Sequence, residues 1–466
     1  MEGVVISSCR SIVITEIAES ATEKGEKRRR MSKLKRALTG ILSLLVVIAL
    51  ATVGTQAAKT RLVIQTHWSD FQLEGVVDAN GKLVSKGLRQ YVEEYMKLNP
   101  GVEIELQSVP MEEYLQKILV SRSAGVSPDI YIIRSLWGVQ LAESGIIESP
   151  PPALVDDIKK NYIPAAIEGA TINGKIMGIP VEVGNYCLVY NKLHLAEKGY
   201  KAPPKTWSEM VDMASKLTVR DKTGAITRYG FSFLAGWDSA VVHPFLGLLW
   251  DMGGEYLSPD YKKCLLNSPE GVKALEAELD IFRTGGTDIS GSVWNFPQQK
   301  VSMIIMASWY ENSLKKGLGA DYEKVVGVAP IPKVNKNVNA MYTFFATVDS
   351  GSKHRKEAWD FLRWFTAEET ANKTTRLGDL MVQNIGSVPA RKADLDNHPA
   401  ELQDHYTKMF IDELKNAKHE PNMAQAAEIN TILMQEIVEA WHGNKTSKKA
   451  LDDATKKINA ILAEYY

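Results

Sequence analysis

Cysteine is scarce in this chain, with three residues in 466. Cys9 precedes the export leader described below, which leaves Cys187 and Cys264. Two cysteines in an exported protein could pair, but spacing along a chain does not show proximity, and we expect two free thiols. An excess of charge of either sign is also missing. The 55 basic and 56 acidic residues leave a formal net charge of -1. Nothing in that balance points to nucleic acid or to strong electrostatic steering. No nucleophile elbow, HExxH zinc motif, P-loop or Gly-rich cofactor fingerprint occurs, and no cofactor or metal is expected. Internal repeats and low-complexity tracts are lacking too. What remains is ordinary globular composition, 45% hydrophobic and 24% charged. The length suggests roughly two to three domains with ample core.

One apolar run stands out. Leu38 to Gly54 are almost wholly apolar, Lys33, Lys35 and Arg36 precede them, and Thr55-Gln56-Ala57 follow with small residues at both positions a signal peptidase reads. The run spans about 17 residues, short of the roughly 20 that a membrane helix needs. Residues 31–57 therefore read as a secretory signal peptide cleaved after Ala57. No cysteine follows the run, so no lipoprotein attachment site is expected, and delivery is to the periplasm or the exterior. Residues 1–30, with Cys9 and Arg28-Arg29-Arg30, have no evident role, and translation is expected to start at Met31.

The chain after Ala57 alternates strand and helix. Arg61 to Trp68 read as a strand. Leu88, Val92, Tyr95 and Met96 form a helical stripe, stopped by Asn99-Pro100-Gly101. Val102, Ile104 and Leu106 alternate as a second strand. A helix from Tyr114 to Ala124 and a third strand from Asp129 to Ile133 follow. This order implies a mostly parallel sheet with helices on both faces. Ligands bind such sheets at the carboxyl ends of strands. Here the first strand ends in His67-Trp68-Ser69-Asp70 and the third in Arg134-Ser135-Leu136-Trp137, with 69–85 expected as a long loop.

Further on, Thr206 and Glu209 fit a capping box ahead of Met210, Met213, Ala214 and Leu217. Ser268-Pro269-Glu270 starts a helix with Val272, Leu275, Leu279 and Phe282 on its buried stripe. A strongly apolar strand ends in Ser308-Trp309-Tyr310. Val326 to Pro332 and Tyr342 to Val348 read as strands. Later helices carry Ala358, Phe361, Leu362 and Phe365, and Leu451, Ala454, Ile458 and Ile461.

The stretch GIPVEVGNYCLVYNK (178–192), followed by PPKTWSEM (203–210), resembles the hinge-crossing segment of family 1 extracellular solute-binding proteins, the sugar-capturing components of ABC importers. PDIYIIRSLWGVQLAESGII, NSPEGVKAL, FPQQKVSMIIMASW, VGVAPIP, SKHRKEAWDFLRWF and GSVPARK follow in that family's usual order. The resemblance implies an α/β, two-lobed periplasmic-binding-protein fold of type II, maltose-binding-protein-like, with hinge-crossing strands. It implies an N-lobe of residues 58–182 and 345–388 and a C-lobe of 183–344 and 389–466. Gln299 and Ser308 stand where the family often has glycine, and Asn339-Ala340 replace a frequent Gly-Gly.

The resemblance also implies a monomer that captures a carbohydrate by hinge closure and docks on the transmembrane subunits of an ABC permease, with no enzymatic step. Pyranose rings present apolar C–H faces and a rim of hydroxyls, so a receptor needs flat aromatic rings and strong hydrogen-bonding groups. Trp309 resembles the stacking aromatic of the family. Trp68, Trp137, Trp237, Tyr186, Tyr310 and Tyr342 are further aromatic candidates, and Asp70, Arg134, Glu182 and Asp238 are the polar ones. Trp207, Trp359, Trp364 and Trp441 are expected to be structural. The rivals are an exported glycoside hydrolase, which needs two carboxylates across a cleft, and the same fold binding a peptide, polyamine or anion.

Overall fold

The computed structural model describes residues 31–32, 59–77 and 80–465. The expected signal peptide therefore lies outside the described residues, apart from Met31 and Ser32. Thr60–Tyr466 make up one compact unit. Among the described residues no helix is long and apolar enough to cross a membrane.

The unit opens with strand β1 (Thr60–Thr66), helix α1 (Leu88–Leu98), strand β2 (Val102–Ser108), helix α2 (Met111–Ser123) and strand β3 (Ile130–Arg134). These are the elements the hydrophobic spacing predicts, with ends shifted by a few residues. Strand β1 pairs in parallel with both β2 and β3. Residues 69–85 are not a plain loop. Ser69 starts a short helix, Asp70–Glu74, and its backbone N–H donates to Gln72 Oε1 at 2.8 Å. The Ser-x-x-Gln spacing is a capping box, a signal passed over in the sequence. Val76–Val77 and Leu83–Ser85 then pair as a small antiparallel ribbon.

Strand β4 (Ile179–Asn191) is the axis of the unit. The stretch that resembles a hinge-crossing segment runs through as one strand of 13 residues. After it come α3 (Trp207–Leu217), α4 (Asp238–Asp251) and α5 (Pro269–Arg283). The caps form as expected. Thr206 Oγ1 accepts from the Glu209 N–H while Glu209 accepts from the Thr206 N–H, and Ser268 Oγ accepts from the Gly271 N–H. Trp207 is buried, its Nε1 donating to the Ala277 carbonyl.

The remaining elements are β5 (Met303–Ala307), α6 (Glu311–Leu318), β6 (Val326–Ala329), β7 (Asn339–Asp349), α7 (Arg355–Thr366), β8 (Val388–Pro389), β9 (Ala417–His419), α8 (Ala426–Trp441) and α9 (Ser447–Tyr465). The main sheet has the order β5-β4-β7-β3-β1-β2. It is mixed rather than mostly parallel, because β7 runs antiparallel to both β3 and β4. Within Gly386 to Arg391, Val388 and Pro389 pair antiparallel with Val183 and Glu182 of β4.

The partners of β4 change along its length. Ile179 to Asn185 pair with β7, whereas Tyr186 to Tyr190 pair with β5 and Leu188 to Asn191 with β6. One strand thus belongs to two groups of strands. A bulge at Val181 interrupts the β4–β7 register between Phe344 and Phe345. Such bulges re-aim side chains, and this one sits beside Glu182.

Cys187 and Cys264 are both buried and free. Gln299, in place of the family's frequent glycine, adopts φ 58°, a left-handed conformation that glycine reaches without strain. Asn339, in place of another, is fully buried at the start of β7 with its side-chain amide unpartnered.

Candidate aromatic cleft

Where β4 changes partners, the ends of β1, β3 and β5 converge on a cavity of about 390 Å³. Seven of the expected residues line it: Trp68, Arg134, Glu182, Tyr186, Trp237, Trp309 and Tyr342. Each is placed by its element. Trp68 follows β1, Arg134 ends β3, Glu182 and Tyr186 lie on β4, and Trp309 lies in the turn after β5. Trp237 is the N-cap of α4, and Tyr342 lies on β7.

Three indoles form one wall. Trp309 has Trp237 on one side, at a centroid distance of 6.5 Å, and Trp294 on the other, at 6.2 Å. Trp294 is 47% exposed, although it contacts two other aromatic rings. An apolar indole left that open beside a cavity is available for ligand contact. His67 also lines the cavity, its ring stacked on Phe344 at 4.5 Å. Burial, reinforced by the Arg134 charge, pulls the His67 pKa down to about 3. The imidazole is therefore neutral, and its Nδ1 has no partner.

Arg134 is almost fully buried and spans two acids. Its Nη1 lies 2.8 Å from Asp238 Oδ1 and its Nη2 3.3 Å from Glu420 Oε1. Glu420 Oε2 also meets His243 Nε2 at 2.9 Å and accepts from Asn430 Nδ2 at 2.8 Å. Burial opposes charge on Glu420, yet His243, Arg134 and Asn430 outweigh it and hold its pKa at about 2. His243 Nδ1 completes the chain with a contact to Tyr186 Oη at 3.2 Å. Glu182 has no cation of this kind. It is 5% exposed, and burial pushes its pKa up to about 7 against the pull of the Ser387 hydroxyl.

Four expected residues lie outside the lining. Trp137 falls in the 3₁₀ turn after β3, which aims it into the core; it is buried, with its ring stacked on Tyr114 at 5.5 Å. Asp70 is exposed in the first turn of the short helix. Asp238 is taken up by Arg134 and by the Ser239 N–H at 2.6 Å. Tyr310 is buried, its hydroxyl donating to the Val293 carbonyl at 3.0 Å. Residues that sequence reasoning did not select complete the cavity: His67, Gln72, Glu112, Trp294, Asn312, Phe344, Asn384 and Ser387 among them.

Two larger hollows adjoin. One of about 930 Å³ shares Asn312 and Ser387 with the cleft and extends it toward the Val76–Ser85 ribbon. Another, of about 540 Å³, shares Tyr342. The tryptophan wall and the uncompensated acid single out the first cavity, because these are the groups that grip a polyhydroxylated ring.

Residues 80–372 match the model of the bacterial extracellular solute-binding proteins. The chain belongs to this family. Among relatives of this solute-binding protein, a putative binding protein of Brucella abortus is 27% identical, with 80% of this chain and 90% of the relative covered. The maltodextrin-binding protein MdxE of Bacillus subtilis is 25% identical over 82% of this chain and 90% of that one. The fold is shared with the GacH receptor of Streptomyces glaucescens at a TM-score of 0.74, 17% identity, and coverage of 88% of this chain and 100% of that one. The two-lobed, maltose-binding-protein-like architecture implied by the sequence is thus the one observed.

Proposed function

We propose that this solute-binding protein captures a carbohydrate in the aromatic cleft by hinge closure and delivers it to the transmembrane subunits of an ABC importer. The observation that carries the reading is that the Trp237, Trp309 and Trp294 indoles line one cavity together with Glu182, Arg134 and Tyr342. Indole faces suit the C–H faces of a pyranose, and the polar groups suit its hydroxyl rim. The names of similar proteins support it: MdxE is a maltodextrin-binding protein, and GacH has been seen in complex with acarbose.

In this reading the N-lobe comprises residues 58–182 and 345–388, and the C-lobe 183–344 and 389–466. The change of strand partner between Asn185 and Tyr186 supports a passage between lobes within β4. A ligand touching both lobes stabilises the closed state by its differential affinity for it. The protein acts as a monomer without enzymatic turnover, exported by a cleaved signal peptide and without a lipid anchor.

Thermal-shift and tryptophan-fluorescence titration against mono- and oligosaccharides tests the reading. We expect saturable stabilisation by a sugar that is recovered intact. Turnover of a glycoside would replace it with the hydrolase. Stabilisation by peptides or polyamines alone would remove the carbohydrate and leave the receptor.

A further inference from the structure

The charges lining the cleft do not balance. Its acids are Glu112 and Glu182, and its only cation is Arg134. That cation is already shared between Asp238 and Glu420, and His243 also meets Glu420, so none of these groups is left to pair with Glu182. His67 adds none of the missing positive charge, because its ring is neutral. Glu182 is the sharpest case. It is 5% exposed and forms no salt bridge with any described lysine, arginine or histidine, unlike Glu420 nearby.

A buried carboxyl without a cation is costly to ionise. Here the rings around the cavity are of the kind that attract a cation to their faces, namely Trp68, Trp294, Trp309, Tyr186 and Tyr342. A buried acid and aromatic rings lining one cavity form the recognition chemistry of an ammonium group.

We propose that the ligand is a cationic sugar, a pyranose or oligosaccharide bearing a protonated amine, whose ammonium group pairs with the Glu182 carboxylate among the aromatic rings. The inference rests on the carbohydrate reading above and adds the charge of the ligand to it. A neutral sugar would meet Glu182 only through hydrogen bonds and would leave its carboxyl without a cation. The amine supplies the cation that Glu182 lacks.

Isothermal titration calorimetry with two matched sets of probes tests this. Glucosamine oligomers of two to four β-1,4-linked units carry an ammonium group where cello-oligosaccharides of the same length carry a hydroxyl. At neutral pH and low salt we expect the amine set to bind at least tenfold more tightly. In Glu182→Gln that ratio should fall to near one. Raising the sodium chloride concentration on the unaltered protein, which needs no variant to fold, should weaken the amine set more than the hydroxyl set. Equal or weaker binding of the amines, a salt-independent ratio, or a preference that survives in Glu182→Gln would each overturn the proposal. Binding of neutral sugars with rejection of every amine would overturn it while leaving the carbohydrate reading intact. Binding of no sugar, in these sets or in the wider screen of mono- and oligosaccharides, would overturn the reading on which it rests.

Discussion

Arg134 reaches from the end of β3 to Asp238 at the start of α4, with Nη1 2.8 Å from Oδ1. The two residues are 104 positions apart in sequence, and Arg134 is 3% exposed. A buried pair of this kind is weak evidence of net stabilisation, but removing one partner strands the other. Arg134→Met would strand Asp238 and leave Glu420 with His243 and Asn430 only. We expect a loss of about 3–5 kcal/mol, read as a lower urea midpoint. A variant within 1 kcal/mol of the parent would show that the acids find other partners.

Trp309 is the centre of the tryptophan wall. Trp309→Ala should weaken sugar binding by roughly 2 kcal/mol or more, about thirtyfold, because it removes the ring that the other two flank. Titration by intrinsic fluorescence measures this, with thermal unfolding of the apo protein as the control. Unchanged affinity would remove Trp309 from the site.

Glu182 gives the stability a distinctive pH dependence. Its pKa is raised by burial to about 7 in the folded chain, against about 4.3 when unfolded. Between those values the unfolded state has lost a proton that the native state keeps, so the Glu182 contribution falls as pH rises through that window. Glu182→Gln should flatten this fall, by on the order of 3 kcal/mol at neutral pH. Glu420 works with the opposite sign. Held at about 2, it contributes stability above the unfolded carboxylate range that is lost as pH falls toward 2. Urea midpoints across pH 3 to 8 for parent and variant separate the two.

Gly184 lies on β4 against the Tyr342 ring, and a Cβ there would overlap that ring. Gly184→Val should displace Tyr342 from the cleft wall and destabilise the apo protein by about 1–3 kcal/mol. Sugar affinity should fall with it. Full affinity in a destabilised protein would show that Tyr342 does not touch ligand.

The free thiols can be counted. Burial raises the pKa of both, with Cys264 pushed up to about 11, so little thiolate is available in the folded chain. We expect Cys187 and Cys264 to resist a thiol reagent under native conditions and both to react in denaturant without prior reduction. Reaction only after reduction would indicate that they had been paired.

How much was legible in the sequence follows from the range of each interaction. The caps at Thr206 and Ser268 and the stripes of α1, α3 and α7 are set by residues a few positions apart, so spacing revealed them. The mixed sheet was missed because β7, drawn from residues 339–349, inserts between β4 and β3, and no local pattern records that. Within the cleft, position at a strand end was informative but direction was not. Trp68 and Trp137 both follow strands, yet only Trp68 reaches the cavity, because the 3₁₀ turn carries Trp137 onto Tyr114. Trp294 was passed over because its short 3₁₀ turn, Val293–Asn295, has no periodicity to mark it. Asn312 and Asn384 come together from α6 and the segment before β8, with the Asn312 amide donating to the Asn384 carbonyl.

The late insertion of β7 also bears on the order in which the molecule can be made. The strands β1 to β4 are synthesised first, but the sheet lacks its middle until residue 349 has emerged. Pairings of such long sequence separation form slowly. A nascent chain shorter than this should have no cooperative fold, which a fragment ending at residue 338 would test by showing no sharp unfolding transition. For a chain expected to cross a membrane unfolded, that delay is an advantage: the topology itself keeps most of the polypeptide threadable until translocation is well under way.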